Sequence, residues 1–159
     1  MNPALMFSKA SDEWATPQDF FDALDAEFGF ELDAAAAVEN AKCAQWIGAF
    51  TDALSQPSWE GLRVWVNPPY SRCREFVAKA AEEAQKGCTV VMLIPSRTDT
   101  RYWHAHIWDT EKHQPRPGVE IRFIKGRLKF GNGKNSAPFP SAVVIFRPVA
   151  SSDLTAGVR

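Results

Sequence analysis

The chain has 159 residues, of which 45% are hydrophobic and 23% charged, a composition ordinary for one soluble globular domain. No apolar run reaches the roughly 18 residues of a membrane span, the N-terminus has no secretory pattern, and three cysteines without CxxC spacing argue against a disulfide framework or a zinc site. The net charge of −1 divides unevenly: residues 1–60 carry 2 basic and 11 acidic side chains, and residues 61–159 carry 16 and 8. We therefore expect a cytoplasmic protein without a metal, whose second half meets a polyanion such as DNA.

The first predicted elements follow residues 1–11, which lack a pattern and which we expect to be flexible. Thr16 and Pro17 suit the N-cap and first position of a helix of about 12 residues, and Gly29 suits its end. Residues 30–32 predict a short strand. Asp33 and the four alanines after it predict a tight turn. The region 38–60 predicts no clear element.

The next predicted strand, residues 63–66, is rich in β-forming side chains and stops at two prolines, which cannot donate to a strand ladder. Ser71 is placed to cap the helix that follows. Apolar residues line one side of that helix, and Gly87 ends it.

The remaining elements alternate between strand and helix before two strands close the chain. Residues 89–94 are apolar on both faces, as in a buried parallel strand, and a helix is predicted from residue 96 through residue 107. Residues 119–124 and 141–146 predict a final pair of strands joined by the basic loop 125–140.

This order predicts the α/β class with a compact Rossmann-like sheet, mostly parallel and with a C-terminal antiparallel hairpin. We expect one domain over residues 12–149 and a flexible tail over residues 150–159.

Asn67-Pro68-Pro69-Tyr70 stands at the carboxyl end of the strand over residues 63–66, where open α/β sheets bind ligands. Two prolines stiffen the loop, so that the Asn67 side-chain oxygen and the Pro68 carbonyl can accept both protons of an exocyclic amine. Tyr70 offers a face for a planar base, worth about 1–3 kcal/mol in single-strand binders. The tetrapeptide therefore predicts a clamp for a planar amine.

A clamped amine of this kind is a nucleophile toward the sulfonium methyl group of S-adenosylmethionine, because accepting its protons exposes the nitrogen lone pair. Adenine, cytosine and a glutamine side chain all fit such a clamp. An Asn-Pro-Pro turn that merely ends a strand is the structural alternative.

A series of motifs in one order resembles the phage-type DNA N6-adenine methyltransferases, the Dam family, over about residues 11–147. The motifs lie at residues 11–17 (SDEWATP), 28–35 (FGFELDAA), 40–43 (NAKC), 65–70 (WVNPPY), 94–100 (IPSRTDT), 126–130 (GRLKF) and 137–141 (APFPS). The resemblance implies transfer of a methyl group from S-adenosylmethionine to an adenine that has left the duplex. It also implies a phage- or prophage-encoded enzyme that acts in a bacterial host and protects DNA from restriction.

The same resemblance assigns residues to the cofactor. It places an N-terminal cofactor motif at Trp14, Thr16 and Pro17, puts Asp33, Ala34 and Ala35 in a loop after the first strand, and sets Asp52 near the adenine ring of the cofactor. Asp52 could equally cap a turn. Alanines replace the usual glycine-rich loop, and only 34 residues separate positions 33 and 67, so the cofactor half is abbreviated.

DNA contacts are expected on the basic second half. The predicted contacts are Arg97, Arg101, Arg122, Lys125, Arg127, Lys129 and Lys134, interleaved with Phe123 and Phe130. A solvated hairpin with ordinary lysines is the alternative reading of this loop.

Three other functions remain open at this point: a cytosine-N4 methyltransferase, a protein-glutamine methyltransferase, and a non-catalytic DNA-binding protein of the same fold. The leading asparagine disfavours cytosine, and the basic second half disfavours a protein substrate.

Overall fold

The computed structural model describes residues 15–36, 40–48, 53–56, 58–130 and 135–149. These residues form ten strands and three α-helices. The strands are β1 (Leu32–Ala36), β2 (Trp46–Gly48), β3 (Arg63–Val66), β4 (Thr89–Pro95), β5 (Trp108–Asp109), β6 (Gln114–Pro115), β7 (Val119–Phe123), β8 (Lys129–Phe130), β9 (Asn135–Ser136) and β10 (Ser141–Phe146). The helices are α1 (Gln18–Phe28), α2 (Cys73–Gln85) and α3 (Arg101–His106). A 3-10 turn at Tyr70–Arg72 comes directly before α2.

Six of the strands form one sheet in the order β2-β1-β3-β4-β10-β7. The first four run parallel, whereas β10 is antiparallel to both of its neighbours, β4 and β7. The strand pairs β5–β6 and β8–β9 stand outside this sheet. The predicted fold class, a mostly parallel α/β sheet closed by an antiparallel hairpin, is confirmed.

Helices and loops cover both faces of the sheet, and the alternating side chains of β4 show how. Val90, Met92 and Ile94 pack with α2 and α3, whereas Val91 and Leu93 pack with α1 and the β8–β9 segment. A strand covered on both faces must be apolar throughout, which is why the run over residues 89–94 was readable in the sequence.

Two predicted helix caps are wrong. The side chain of Thr16 does not cap α1, whose N-cap is Pro17, and Ser71 lies inside the 3-10 turn ahead of α2. The predicted end of α1 is confirmed, because Gly29 adopts the left-handed conformation and its N–H donates to the carbonyl of Asp25. Helix α3 begins at Arg101, later than predicted, since residues 98–100 form a turn.

The predicted turn at Asp33 and the alanines is also wrong, because these residues form the body of β1. Leu32 and Asp33 pair with β3 on one side, and Asp33 and Ala36 pair with β2 on the other. Alanine has little preference for strands, so partners on both sides impose this conformation. Ala34 is fully buried in the core.

A buried ion pair fixes the segment before β3 onto helix α2. Lys79 and Glu83 have side chains only 9% and 0% exposed, and their charged groups lie 3.0 Å apart. Glu83 also accepts a 2.7 Å hydrogen bond from the backbone N–H of Trp59, while Lys79 donates to the carbonyl of Gln56 at 2.7 Å. These contacts satisfy both charges and hold the Trp59 ring in the core.

Gly118, ahead of β7, occupies a site that no side chain fits. Its φ is +78°, and a Cβ atom there would lie 2.6 Å from the carbonyl oxygen of Arg147 and overlap Val149. We expect Gly118→Ala to lower the free energy of unfolding by about 1–3 kcal/mol, because positive φ and overlap both penalise the variant. Urea unfolding tests this, with Gly126→Ala as the control, since Gly126 shares the positive φ but has open space. Equal losses in the two variants would contradict the overlap.

Candidate active site

The carboxyl ends of the parallel strands meet along one side of the sheet, which we call the carboxyl edge. Val66, the last residue of β3, pairs with Met92 of β4, and Pro95, the last residue of β4, pairs with Ser141, the first residue of β10. Phe123, the last residue of β7, pairs with the second residue of β10. The loops after β3, β4 and β7 and the loop before β10 therefore emerge on the same side.

The predicted clamp follows β3 at this edge, and its asparagine is oriented by a second element. The Nδ2 group of Asn67 donates a 3.0 Å hydrogen bond to Oγ1 of Thr16. The Thr16 side chain is buried, at 5% exposure, and belongs to the residues just ahead of α1. Because Nδ2 faces Thr16, the side-chain oxygen of Asn67 is directed away from it.

The rest of the tetrapeptide is held by packing. Pro68 and Pro69 are buried, and Tyr70 is half-buried at the start of the 3-10 turn. The Tyr70 ring meets the Phe139 ring edge-on, with centroids 4.7 Å apart and planes at 90°. Phe139 precedes β10 and was not predicted as a site residue, although the motif at residues 137–141 contains it.

Asp33 is buried within β1 and binds backbone amides. Its carboxylate accepts from the N–H of Ala35 at 3.3 Å and of Lys42 at 2.9 Å. Burial raises the pKa of this carboxyl, while the two hydrogen bonds oppose that rise. Lys42 in turn donates from Nζ to Oε1 of Gln18 at 2.8 Å. Asp33 therefore secures the chain between β1 and β2 against α1, a role that the sequence did not reveal for it or for Lys42.

Five of the predicted DNA-contacting side chains share one environment. They are exposed, and none forms an ion pair with another residue in the described part of the chain; they are Arg97, Arg101, Lys125, Arg127 and Lys129. Arg97 and Arg101 follow β4 and the others follow β7, so all five belong to segments that leave the carboxyl edge.

Arg122 differs from these five cations because acidic residues hold it. It donates to both carboxylate oxygens of Glu27, at 2.8 and 2.7 Å, and it pairs with Glu120. The hydrogen bond from Arg122 lowers the pKa of Glu27 below its ordinary value. Arg122 thus links β7 to α1 in this structure.

The two phenylalanines of the basic region also differ. Phe130 is buried at 5% exposure and belongs to the core beside α1, whereas Phe123 is 70% exposed at the carboxyl edge. Only Phe123 is accessible to a large partner.

Some predictions fall outside the described residues. These are the site residues Trp14, Asp52 and Lys134 and the flexible ends at residues 1–11 and 150–159.

The described part of the chain contains no helix that is long and apolar enough to span a membrane. Nor does a cluster of three or more His, Cys, Asp or Glu side chains that could hold a metal ion occur among those residues.

A mostly parallel sheet with one reversed strand, and an Asn-Pro-Pro-Tyr loop at its carboxyl edge, defines an α/β protein with a methyltransferase-like fold. The sequence model of one family, DNA N-6-adenine-methyltransferase (Dam), matches residues 5–155, and the chain belongs to this family.

Two relatives carry the same description. The DNA N-6-adenine-methyltransferase of Escherichia phage T1 is 36% identical over 118 residues, which cover 74% of this chain and 46% of the relative. That of Haemophilus phage HP1 is 29% identical over 148 residues, covering 90% of this chain and 84% of the relative. The chain thus spans about half the length of the first relative and most of the second.

Proposed function

We propose that this protein is an adenine-specific DNA methyltransferase that transfers a methyl group from S-adenosylmethionine to the N6 amine of an adenine turned out of the duplex. The observation that carries the proposal is the Asn67 amide, which Thr16 orients beside two buried prolines at the carboxyl edge. Family membership and the names of both relatives support adenine as the base.

The chain's own residues would act by orienting and polarising the amine. Asn67 Oδ1 and the Pro68 carbonyl oxygen each accept one N6 proton, which shifts the nitrogen toward tetrahedral geometry and exposes its lone pair. Tyr70 supports the base plane, and the contact with Phe139 fixes the tilt of its ring. Fixed acceptors of this kind act without reorganising during the reaction.

The residues at the carboxyl edge fit S-adenosylmethionine, which supplies a methyl group on a positively charged sulfur and leaves as the neutral thioether, while the amine loses one proton to solvent. Ala35, near the end of β1, is half-buried and has a side chain no larger than a methyl group, which allows a close approach. Thr16 lies at the same edge, because it bonds Asn67, which follows β3. From the family resemblance we assign to the cofactor Trp14, Thr16, Pro17, Asp33, Ala34, Ala35 and Asp52.

The five exposed cations at the carboxyl edge are proposed to contact DNA phosphates, and Lys134 joins them from the sequence. We propose a structural role for Arg122 and no DNA contact, because it already forms ion pairs with Glu27 and Glu120. It would hold β7, and with it the basic loop, at a fixed position relative to α1. The protein would act in a bacterial host, as the phage relatives suggest.

The test of the reaction is direct. Protein and S-adenosylmethionine are incubated with unmethylated DNA, and the digested nucleosides are weighed by mass spectrometry. We expect N6-methyladenine as the sole new nucleoside. N4-methylcytosine would reassign the base, methylation of a glutamine peptide would reassign the substrate, and DNA binding without any product would indicate a non-catalytic member of the fold.

The basic loop gives a separate prediction. Arg127→Ala and Lys129→Ala should each weaken DNA binding more at low salt than at high salt, lowering the slope of log K against log salt by about 0.9 per lost phosphate contact. Lys86→Ala is the matched control, because Lys86 lies just before β4 at the opposite edge. A slope equal to that of the wild type in the loop variants would mean that the loop is a solvated hairpin.

A further inference from the structure

A cleft of about 300 Å³ opens beside Tyr70, on the side that faces α2 and α3. The side chains that matter in its wall are Tyr70, Ser71, Cys73, Arg74, Arg97 and Tyr102. They come from the 3-10 turn, the first turn of α2, the loop after β4 and the start of α3. The family motifs and the predicted site account only for Tyr70 and Arg97 among them.

The described wall of the cleft contains two arginines and no acidic residue. Arg74 and Arg97 are exposed and form no ion pair within the described part of the chain, and no carboxylate is among the described residues of the wall. The neighbouring Arg72, by contrast, pairs with Glu75 at 2.9 Å. Two arginines that form no such ion pair therefore line one cleft, while the neighbouring Arg72 is paired.

The remaining polar groups of the wall are neutral hydrogen-bonding partners. Burial raises the pKa of Tyr102 above its ordinary value and that of the Cys73 thiol to about 11, and the two groups share a hydrogen bond. Neither carries a negative charge near neutral pH. Ser71 adds a hydroxyl at the exposed mouth of the cleft. Two fork-shaped cations with neutral hydroxyls form a set suited to a phosphate group.

We propose that Arg74 and Arg97 bind one backbone phosphate of the DNA strand that carries the target base, with Tyr70 as the wall shared between this cleft and the amine clamp. The inference rests on the proposed function. Tyr70 belongs to the predicted clamp and also lines the cleft, so a nucleotide with its base at Asn67 would have its sugar-phosphate chain near the Tyr70 ring. Holding that phosphate would keep the extruded nucleotide in place, which makes both arginines positioning residues.

The test removes one phosphate charge at a time. Oligonucleotide substrates with a single neutral methylphosphonate at successive positions around the target adenine are titrated against the wild type, Arg74→Ala, Arg97→Ala and Arg97→Lys. A methylphosphonate at one position next to the adenine should weaken DNA binding by the wild type about 10-fold or more. The same replacement should weaken DNA binding by Arg97→Ala less than about threefold, because that variant already lacks the arginine that contacts the phosphate. Arg97→Lys should fall between them.

Lys86→Ala is the control, since Lys86 is also exposed but lies just before β4 at the opposite edge and does not line the cleft. It should keep the wild-type response at the position next to the adenine. An Arg97→Ala profile identical to that of the wild type would overturn the inference. The inference would also be overturned if inorganic phosphate competed with DNA for the protein while no single methylphosphonate weakened binding, because the cleft would then be a site for free anions. Failure of the proposed function is distinct, because the wild type would then form no N6-methyladenine on unmodified DNA.

Discussion

Asn67→Ala is expected to lower the rate of methyl transfer to DNA by about 100- to 1,000-fold, the usual effect of losing one preorganised hydrogen-bonding group in an active site. The side-chain oxygen of Asn67 would bond the amine only while the base is clamped, so its loss should leave cofactor affinity within about twofold of the wild type. Single-turnover kinetics measure the first quantity, and calorimetric titration with S-adenosylmethionine measures the second. A parallel loss of cofactor affinity would show that Asn67 belongs to the cofactor site.

Thr16 supplies a graded control for the same prediction. Thr16→Val keeps the shape of the side chain but removes the oxygen that accepts from Asn67 Nδ2, so the amide loses this orienting hydrogen bond. We expect a loss of about 10-fold in transfer rate, within the range for a single positioning group. Thr16→Ser keeps the hydroxyl and should stay near the wild-type rate. Equal rates in both variants would contradict the orienting role.

Glu83→Gln should produce the largest loss of stability, lowering the free energy of unfolding by about 3–5 kcal/mol, because removing one partner of a buried pair leaves the other charge uncompensated. Lys79 would stay 9% exposed with no carboxylate beside it. Urea unfolding at pH 7 measures the change. The double variant Lys79→Met/Glu83→Gln should recover part of the loss, since neither charge remains.

The pH dependence has a definite sign. Burial raises the pKa of Glu83, but the hydrogen bonds from Trp59 and Lys79 and the charges of Lys79 and Lys86 outweigh it, so the pKa lies below its ordinary value of 4.5. The stabilisation is therefore complete above about pH 4.5 and is lost as the pH falls further. The gap in unfolding free energy between the wild type and Glu83→Gln should narrow below that pH.

Lys86→Met is a control for Glu83→Gln, because the Lys86 side chain is exposed. It should lower the free energy of unfolding by under about 1 kcal/mol.

Local features of the sequence were enough to predict the four strands of the main sheet after residue 60 and the position of the Asn67 loop at the end of β3. Strand β4 is apolar on both faces, and two prolines end β3, so each signal lies within a few residues.

Contacts between distant residues explain what the sequence did not reveal. A threonine before a helix is a good cap, worth about 1 kcal/mol, yet Thr16 bonds Asn67, 51 residues away. In the sequence, Lys79 and Glu83 resemble surface charges on a helix, but in the structure they bond the backbone of Gln56 and Trp59. In the sequence Arg122 resembles the other basic residues of the second half, whereas in the structure it forms an ion pair with Glu27 of α1.

The central position of β10 has a consequence for synthesis on the ribosome. Strand β7 has no partner in the six-stranded sheet except β10, and β10 separates it from β4. Because β10 follows both β4 and β7 in the chain, β7 has no partner in this sheet until residues 141–146 have left the ribosomal tunnel. Such long-range pairing delays folding and leaves strand edges exposed to aggregation in the meantime.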